Sequence, residues 1–256
     1  MADVSITYKG NTIAEINATG TKTLKTAGKY CEDDIGVSYV KPASGGTSDE
    51  LAKKIITGYG DGDITELPSD ITDIASHVFY MHYNIALTDL PSGITYIGAR
   101  AFYMCTNLSL TSLPSGITFL GEGAFADCGN NLSLTSLPSG LTYFAPYVFS
   151  NCGNVAFTSL PDETEIIAEY AFENCKKITS MSLPSSITKI GDYAFRNCTG
   201  LKTVTFKGTP ASISKTAFSG CTNLKTINVP WNSLLTVSGS PWGAENAIIK
   251  YNYTEE

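Results

Sequence analysis

Histidine is almost missing from this 256-residue chain, with two residues, and positive charge is scarce: 17 Lys and Arg stand against 24 Asp and Glu, for a formal net charge of -7. An acidic balance argues against the basic patch that nucleic acid or anionic lipid requires, so no nucleic-acid partner is expected. No apolar run of 18 residues occurs, and no membrane insertion is expected. The opening Met1-Ala-Asp-Val-Ser-Ile-Thr-Tyr-Lys-Gly has neither the basic start nor the apolar stretch of an export signal, and the ending Tyr251-Asn-Tyr-Thr-Glu-Glu has no anchor motif. The expectation is a chain that does not pass through the general secretory route. Residues 1–46 hold five Lys and five Asp or Glu, so the net negative charge belongs to the remainder.

The inventory for chemistry is as thin. His77 and His82 occupy columns of a repeat, described below, that other rungs fill with non-catalytic residue types. Asp61-Gly62-Asp63 has too few oxygen donors for a calcium loop, and Gly58-x-Gly60-x-Gly62 opens no phosphate-binding helix. Cys31 lies beside Glu32, Asp33 and Asp34, neighbours that disfavour a thiolate. No catalytic residue, metal or cofactor is expected, and the chain is read as a non-enzyme.

What the sequence does contain is periodicity. Phenylalanine recurs at Phe79, Phe102, Phe125, Phe149, Phe172, Phe195 and Phe218, at spacings of 23, 23, 24, 23, 23 and 23. Three residues after each comes a second column: His82, then Cys105, Cys128, Cys152, Cys175, Cys198 and Cys221. Leu-Pro pairs mark a third, at Pro68, Pro91, Pro114, Pro138, Pro161 and Pro184. So short a unit cannot close a core alone, and its apolar positions must stack on their neighbours in a quasi-one-dimensional solenoid. The Ile-Thr-x-Ile and Leu-Thr-Ser-Leu pieces predict one or two short parallel strands per rung, and the Ala-Phe step an irregular or short helical turn. The Phe column is structural. A spacing of 23 does not gather four zinc ligands, so the cysteines are expected to be reduced, buried thiols. The one extra residue, near Gly129-Asn130-Asn131, is expected as a bulge in a turn.

Columns that vary between rungs are the solvent-facing ones. Six residues before each Phe stand Asp73, Tyr96, Phe119, Tyr143, Ile166, Lys189 and Ser212, and two before stand Arg100, Tyr147, Tyr170 and Tyr193 among others; one after, Tyr80 and Tyr103. Tyr96, Phe119 and Tyr143, with Arg100, Tyr147, Tyr170 and Tyr193, are the candidate ligand-binding stripe, because exposed aromatics supply contact area at low entropic cost. The alternative is that these ladders only stabilise the solenoid by packing. Thr88, Thr111, Thr135 and Thr158 read as ordinary strand stacking.

The unit Leu-Pro-Ser-x-Ile-Thr-x-Ile-Gly-x-x-Ala-Phe-x-x-Cys-x-x-Leu resembles the BspA-type leucine-rich repeat of bacterial surface and bacteriophage proteins. The fold class this implies is a leucine-rich-repeat solenoid of seven 23-residue rungs over 64–230, with a C-terminal cap at 231–256 in which Pro241-Trp-Gly-Ala-Glu-Asn-Ala-Ile-Ile-Lys-Tyr is similar to the closing segment of such proteins. Residues 1–43, with Ile6-Thr-Tyr-Lys-Gly-Asn-Thr-Ile-Ala-Glu-Ile, resemble an N-terminal module of phage structural proteins and read as a small separate antiparallel β unit. Residues 44–48 read as a Gly- and Ser-rich linker, and 49–63 as a capping helix and turn, from Ser48 as N-cap with early acids and late lysines. The resemblance implies a virion component, assembled in the host cytoplasm, that docks to other virion or surface proteins through residues 1–43. Its solenoid would present a surface to a glycan or protein of the host. A decorative virion subunit and a bacterial cell-surface adhesin are the alternatives, and an oligomer is compatible with any of them.

Overall fold

The computed structural model describes residues 64–233 and 237–254 in full and, before them, the backbone of five strands. These are β1 (Val4–Tyr8), β2 (Asn11–Ile16), β3 (Lys22–Leu24), β4 (Gly36–Val40) and β5 (Lys53–Gly58). β1 and β2 pair antiparallel, as do β3, β4 and β5. β5 also pairs in parallel with the first rung, Ile55 opposite Asp73 and Ile56 opposite Ile74. The helix expected over 49–63 is therefore corrected: its centre is a strand. The succession Ile55-Ile56-Thr57 is β-branched throughout, which stiffens χ1 and favours the pleated surface. The first rung also offers an open edge whose hydrogen bonds a strand satisfies and a helix does not. The linker at 44–48, Cys31 and the Asp61-Gly62-Asp63 turn lie outside the described residues.

Each rung contributes a two-residue strand: β6 (Asp73–Ile74), β7 (Tyr96–Ile97), β8 (Phe119–Leu120), β9 (Tyr143–Phe144), β10 (Ile166–Ile167), β12 (Lys189–Ile190) and β14 (Ser212–Ile213). The second residue of every pair is buried, and the first is exposed or half-buried except at Asp73. Pairing is parallel and in register, but it runs as two sheets, β3-β4-β5-β6-β7-β8 and β9-β10-β12-β14. The interruption between β8 and β9 falls after the rung with the extra residue. That residue lies in the bulge at Gly129-Asn130-Asn131: Asn131 takes the place that Asn107 and Asn154 hold in the adjacent rungs, each side-chain amide donating to a carbonyl of the rung before. A second change coincides. Where Gly98 and Gly121 let backbones approach so closely that a Cβ on Gly121 would lie 2.4 Å from the Ala99 nitrogen, the rung after the break carries Ala145.

Inside, the seven Phe side chains are fully buried and stack rung on rung, with centroids 5.1 to 5.9 Å apart. Each cysteine thiol of the column donates to the carbonyl of the Phe in the rung before, at 3.0 to 3.2 Å. A small apolar side chain thus fills the space while its weak donor takes a second lone pair of a carbonyl that already accepts an amide from its own rung. All six are free. The Ala-Phe step is a run of tight turns; no helix occurs among the described residues.

The opposite flank comes in two forms. After the Phe172 rung it is a regular sheet of β11 (Ser180–Leu183), β13 (Thr203–Phe206), β15 (Thr226–Asn228) and β16 (Ile248–Lys250). In the first four rungs the corresponding segments form no strand, only the isolated bridges Ile64–Ile85 and Ser159–Ser182. Strand stacking of Thr88, Thr111, Thr135 and Thr158 is accordingly corrected: these threonines are exposed and lie outside any strand. The cause is register. Met181-Ser182-Leu183 and Val204-Thr205-Phe206 alternate buried with half-buried residues, the period of a strand, whereas Leu110 is followed by two exposed residues, Thr111 and Ser112. The closing segment at 231–256 adds a further turn. Trp242 is 1% exposed and its carbonyl accepts from the Phe218 amide, as the carbonyls of Ala101, Ala124, Val148, Ala171, Ala194 and Ala217 do for earlier rungs.

Candidate functional site

Two columns flanking the Ala-Phe step adopt left-handed backbone in nearly every rung. Two before Phe these are His77, Arg100, Gly123, Tyr147, Tyr170 and Tyr193; two after, Met81, Met104, Asp127, Asn151, Asn174, Asn197 and Gly220, with φ between 54° and 75°. The second column suits its place, since Asn and Asp tolerate this region. Asn174 donates to Asn151 at 2.6 Å and Asn151 to Asp127 at 2.7 Å along it. Tyrosine in the first column does not suit it. A non-glycine residue held there costs roughly 1–3 kcal/mol. The two stacking contacts of the three tyrosines, 4.8 Å between Tyr147 and Tyr170 and 5.2 Å between Tyr170 and Tyr193, return about 0.5–1.5 kcal/mol each. Burial of the half-covered rings adds to this at about 25 cal/mol per Å², so packing offsets the backbone cost, and what it leaves is a row of three stacked rings of which Tyr147 is 37% exposed.

The rung between these tyrosines and the Tyr80–Tyr103 pair is cut away. At Phe125 the two turn positions are Gly123 and Ala126, both buried, and a cavity of about 420 Å³ opens above them. On one side stands Tyr103, whose far face stacks on Tyr80 at 5.0 Å and 13°. On the other stands Tyr147, whose far face stacks on Tyr170 at 5°. Polar groups line the rim in pairs. Arg100 meets Glu122 at 2.8 Å, with both side chains 47% exposed, an ion pair worth about 0–1 kcal/mol. Ser150 donates to Glu173 at 3.1 Å, which Arg196 also approaches at 3.4 Å. Desolvation, together with the Asp127 carboxylate to which it hydrogen-bonds, raises the Tyr103 phenol above its ordinary pKa. Desolvation, with the Tyr170 and acidic neighbours, does the same for Tyr147.

The seven residues of the expected stripe do not form one surface. Tyr96, Phe119 and Tyr143 lie on the short strands, at 36–37% exposure, Tyr96 stacked on Phe119 at 4.9 Å. Arg100, Tyr147, Tyr170 and Tyr193 lie at the turns, and of the seven only Arg100 and Tyr147 line the cavity. Sequence reasoning followed aromatic residues and so passed over the small pair Gly123 and Ala126, which make the notch. The signal was present as a loss of bulk in two columns of one rung.

Nucleophilic chemistry has little to work with here. Burial pushes the Cys105 thiol up to about 12 and those of Cys128, Cys175 and Cys198 well above the usual range, the reverse of an activated thiolate. Among the described residues no group of three or more His, Cys, Asp or Glu is gathered as a metal site would need, and no helix is long and apolar enough to cross a membrane.

Residues 63–156 and 145–242 match the model of the BspA type leucine rich repeat region, in six copies. Among solved structures, the chain is similar to the Treponema pallidum leucine rich repeat protein TpLRR, at 27% identity and TM-score 0.58, covering 81% of this chain and 97% of that one. It also matches a leucine-rich repeat protein of Bacteroides ovatus, at 19% identity and TM-score 0.46 over 75% of this chain and 69% of that one. The pneumococcal vaccine antigen PcpA matches at 15% identity and TM-score 0.45, over 73% and 68%. No curated protein matches.

Proposed function

Since the chain belongs to the BspA-type leucine-rich repeat family, we propose that it is a non-catalytic binding protein whose turn face, built on Tyr147, Tyr170 and Tyr193, recognises a carbohydrate or protein on a target cell. The observation that carries this is the row of three tyrosines stacked ring on ring at the turns, held in left-handed backbone and partly exposed. In this reading residues 1–43 dock the chain to other virion proteins and the solenoid faces the host. The support for that placement is the likeness of the N-terminal sequence to phage structural proteins. The same surface would serve an adhesin on a bacterial cell.

The test is adherence of the full chain to a range of bacterial cells, compared with a Tyr147→Gly, Tyr170→Gly, Tyr193→Gly variant. Glycine suits the left-handed positions, so the variant should fold and should lose adherence at least tenfold. A parallel Tyr96→Ala, Phe119→Ala, Tyr143→Ala variant should lose much less. Loss in the second and not the first moves the surface to the short strands. An intact chain that adheres to no cell leaves the decorative role in its place.

A further inference from the structure

The notch at the Phe125 rung has walls of a particular kind. Tyr103 and Tyr147 each have one ring face covered by the next tyrosine outward, at 13° and 5° between planes. Rings stacked along the solenoid axis lie across it, so the uncovered faces of Tyr103 and Tyr147 both turn toward the rung that carries Gly123 and Ala126. Tyr103 stands in the column one after Phe, where the next rung has Ala126, and Tyr147 in the column two before Phe, where the rung before has Gly123, so the two rings border the same cavity from adjoining columns. A cavity of about 420 Å³ lies within the range of small-ligand sites.

The rim decides what kind of ring. Every charged group on it already has a partner: Arg100 with Glu122 at 2.8 Å, Asp127 with the Asn151 amide at 2.7 Å, Glu173 with Ser150 at 3.1 Å and Arg196 at 3.4 Å. Arg100 and Arg196 offset Glu122 and Glu173, and the charge that remains, on Asp127, is hydrogen-bonded to Asn151 and Tyr103 and disfavours an anionic ligand. What the pairs leave are the outer lone pairs and N–H groups of planar carboxylates, an amide and a guanidinium. Such groups match the edge of a polyol, and the aromatic faces match its C–H surface.

We infer that the notch is a saccharide subsite holding one neutral pyranose ring, a deepening that rests on the binding role proposed above. The discriminating variant is Ala126→Tyr. The same position carries Tyr80 and Tyr103 in the two preceding rungs, so tyrosine is compatible with the turn while its ring occupies the cavity. Ala126→Leu is the companion if the larger ring disturbs the fold.

The experiment applies the full chain and both variants to immobilised neutral oligosaccharides of glucose, galactose, mannose and N-acetylglucosamine. Cationic chitosan and anionic dextran sulfate are run beside them, with melting temperature as the check on folding. The expected result is saturable binding to at least one neutral oligosaccharide, weakened tenfold or more by a folded filling variant and competed by the free sugar. Binding only to a charged polymer, binding to no saccharide, or undiminished binding by a folded variant overturns the subsite. Should Ala126→Tyr adhere to cells as the intact chain does while the triple tyrosine variant does not, the subsite falls and the tyrosine face stands. Should the intact chain adhere to nothing, the broader reading falls with it.

Discussion

The rungs before Phe157 and those after it share one interior and differ on one flank. Both carry the Phe stack and the thiol donors, yet only the later rungs form the sheet of β11, β13, β15 and β16. The later rungs bury Met181, Val204 and Ile227 nine residues after their Phe and Leu183, Phe206 and Val229 two residues further on, with the residue between half-buried except at the buried Asn228. The earlier rungs bury Leu87, Leu110, Leu134 and Phe157 one place sooner relative to the chain that follows, leaving two exposed residues in a row. A shift of one residue reverses which face a strand residue takes, and here it decides whether a strand exists. The solenoid tolerates either form because stacking of the shared core supplies most of its stability.

The strongest challenge to that view is alkali. A buried thiol keeps its proton in the folded chain to about pH 12 at Cys105, against an ordinary 9.0. The folded state then binds more protons than the unfolded one, and stability, constant below pH 9, falls as pH rises toward 12 by about 1.4 kcal/mol per unit for each such thiol. Cys105 and Cys128 lie in the earlier rungs and Cys175 and Cys198 in the later, so both regions should unfold together between pH 9 and 12, as followed by circular dichroism and amide NMR. Loss of one region alone would show that the core is not shared.

Smaller, at about 3–5 kcal/mol, is the expected effect of Phe149→Ala in urea unfolding. Phe149 stands at the junction, in ring contact with Phe125, Phe157 and Phe172. Because the strand ladder is already interrupted between β8 and β9, the variant should unfold in two steps where the intact chain unfolds in one. A single transition would mean that the interruption is mechanically silent. Smallest is Ile227→Val, expected to cost about 0.5–1.5 kcal/mol. Its use lies in hydrogen exchange: amides of β13 and β15 should lose protection while those at Thr111 and Ser112 exchange quickly in either protein.

Much of this was legible in the sequence. Phe, Cys and Leu-Pro columns gave the rung, its repeat number and the interior, because a buried column tolerates little variation within a stack. The bulge at Gly129-Asn130-Asn131 followed from one irregular spacing. Less legible was anything set by backbone conformation. The left-handed positions announce themselves through Asn151, Asn174, Asn197, Gly123 and Gly220, but the bulky Arg100 and three tyrosines at equivalent places conceal the pattern. The strand at Lys53–Gly58 was misread because capping residues at 48–50 and a Leu51–Ile55 spacing outweighed three consecutive β-branched residues. The candidate stripe gathered aromatic residues from two columns that the chain's turn sets apart.

The bonds from thiol to Phe carbonyl carry one more consequence. Each sulfur is engaged with a backbone oxygen 26 or 27 residues earlier, all six are buried, and burial holds the proton on Cys105, Cys128, Cys175 and Cys198. Neither an oxidant nor glutathione reaches these buried sulfurs unless the rungs come apart. The solenoid should keep the same shape in the reducing interior of a cell and in the oxidising medium outside, so it can be made in one and used in the other without any change of covalent state.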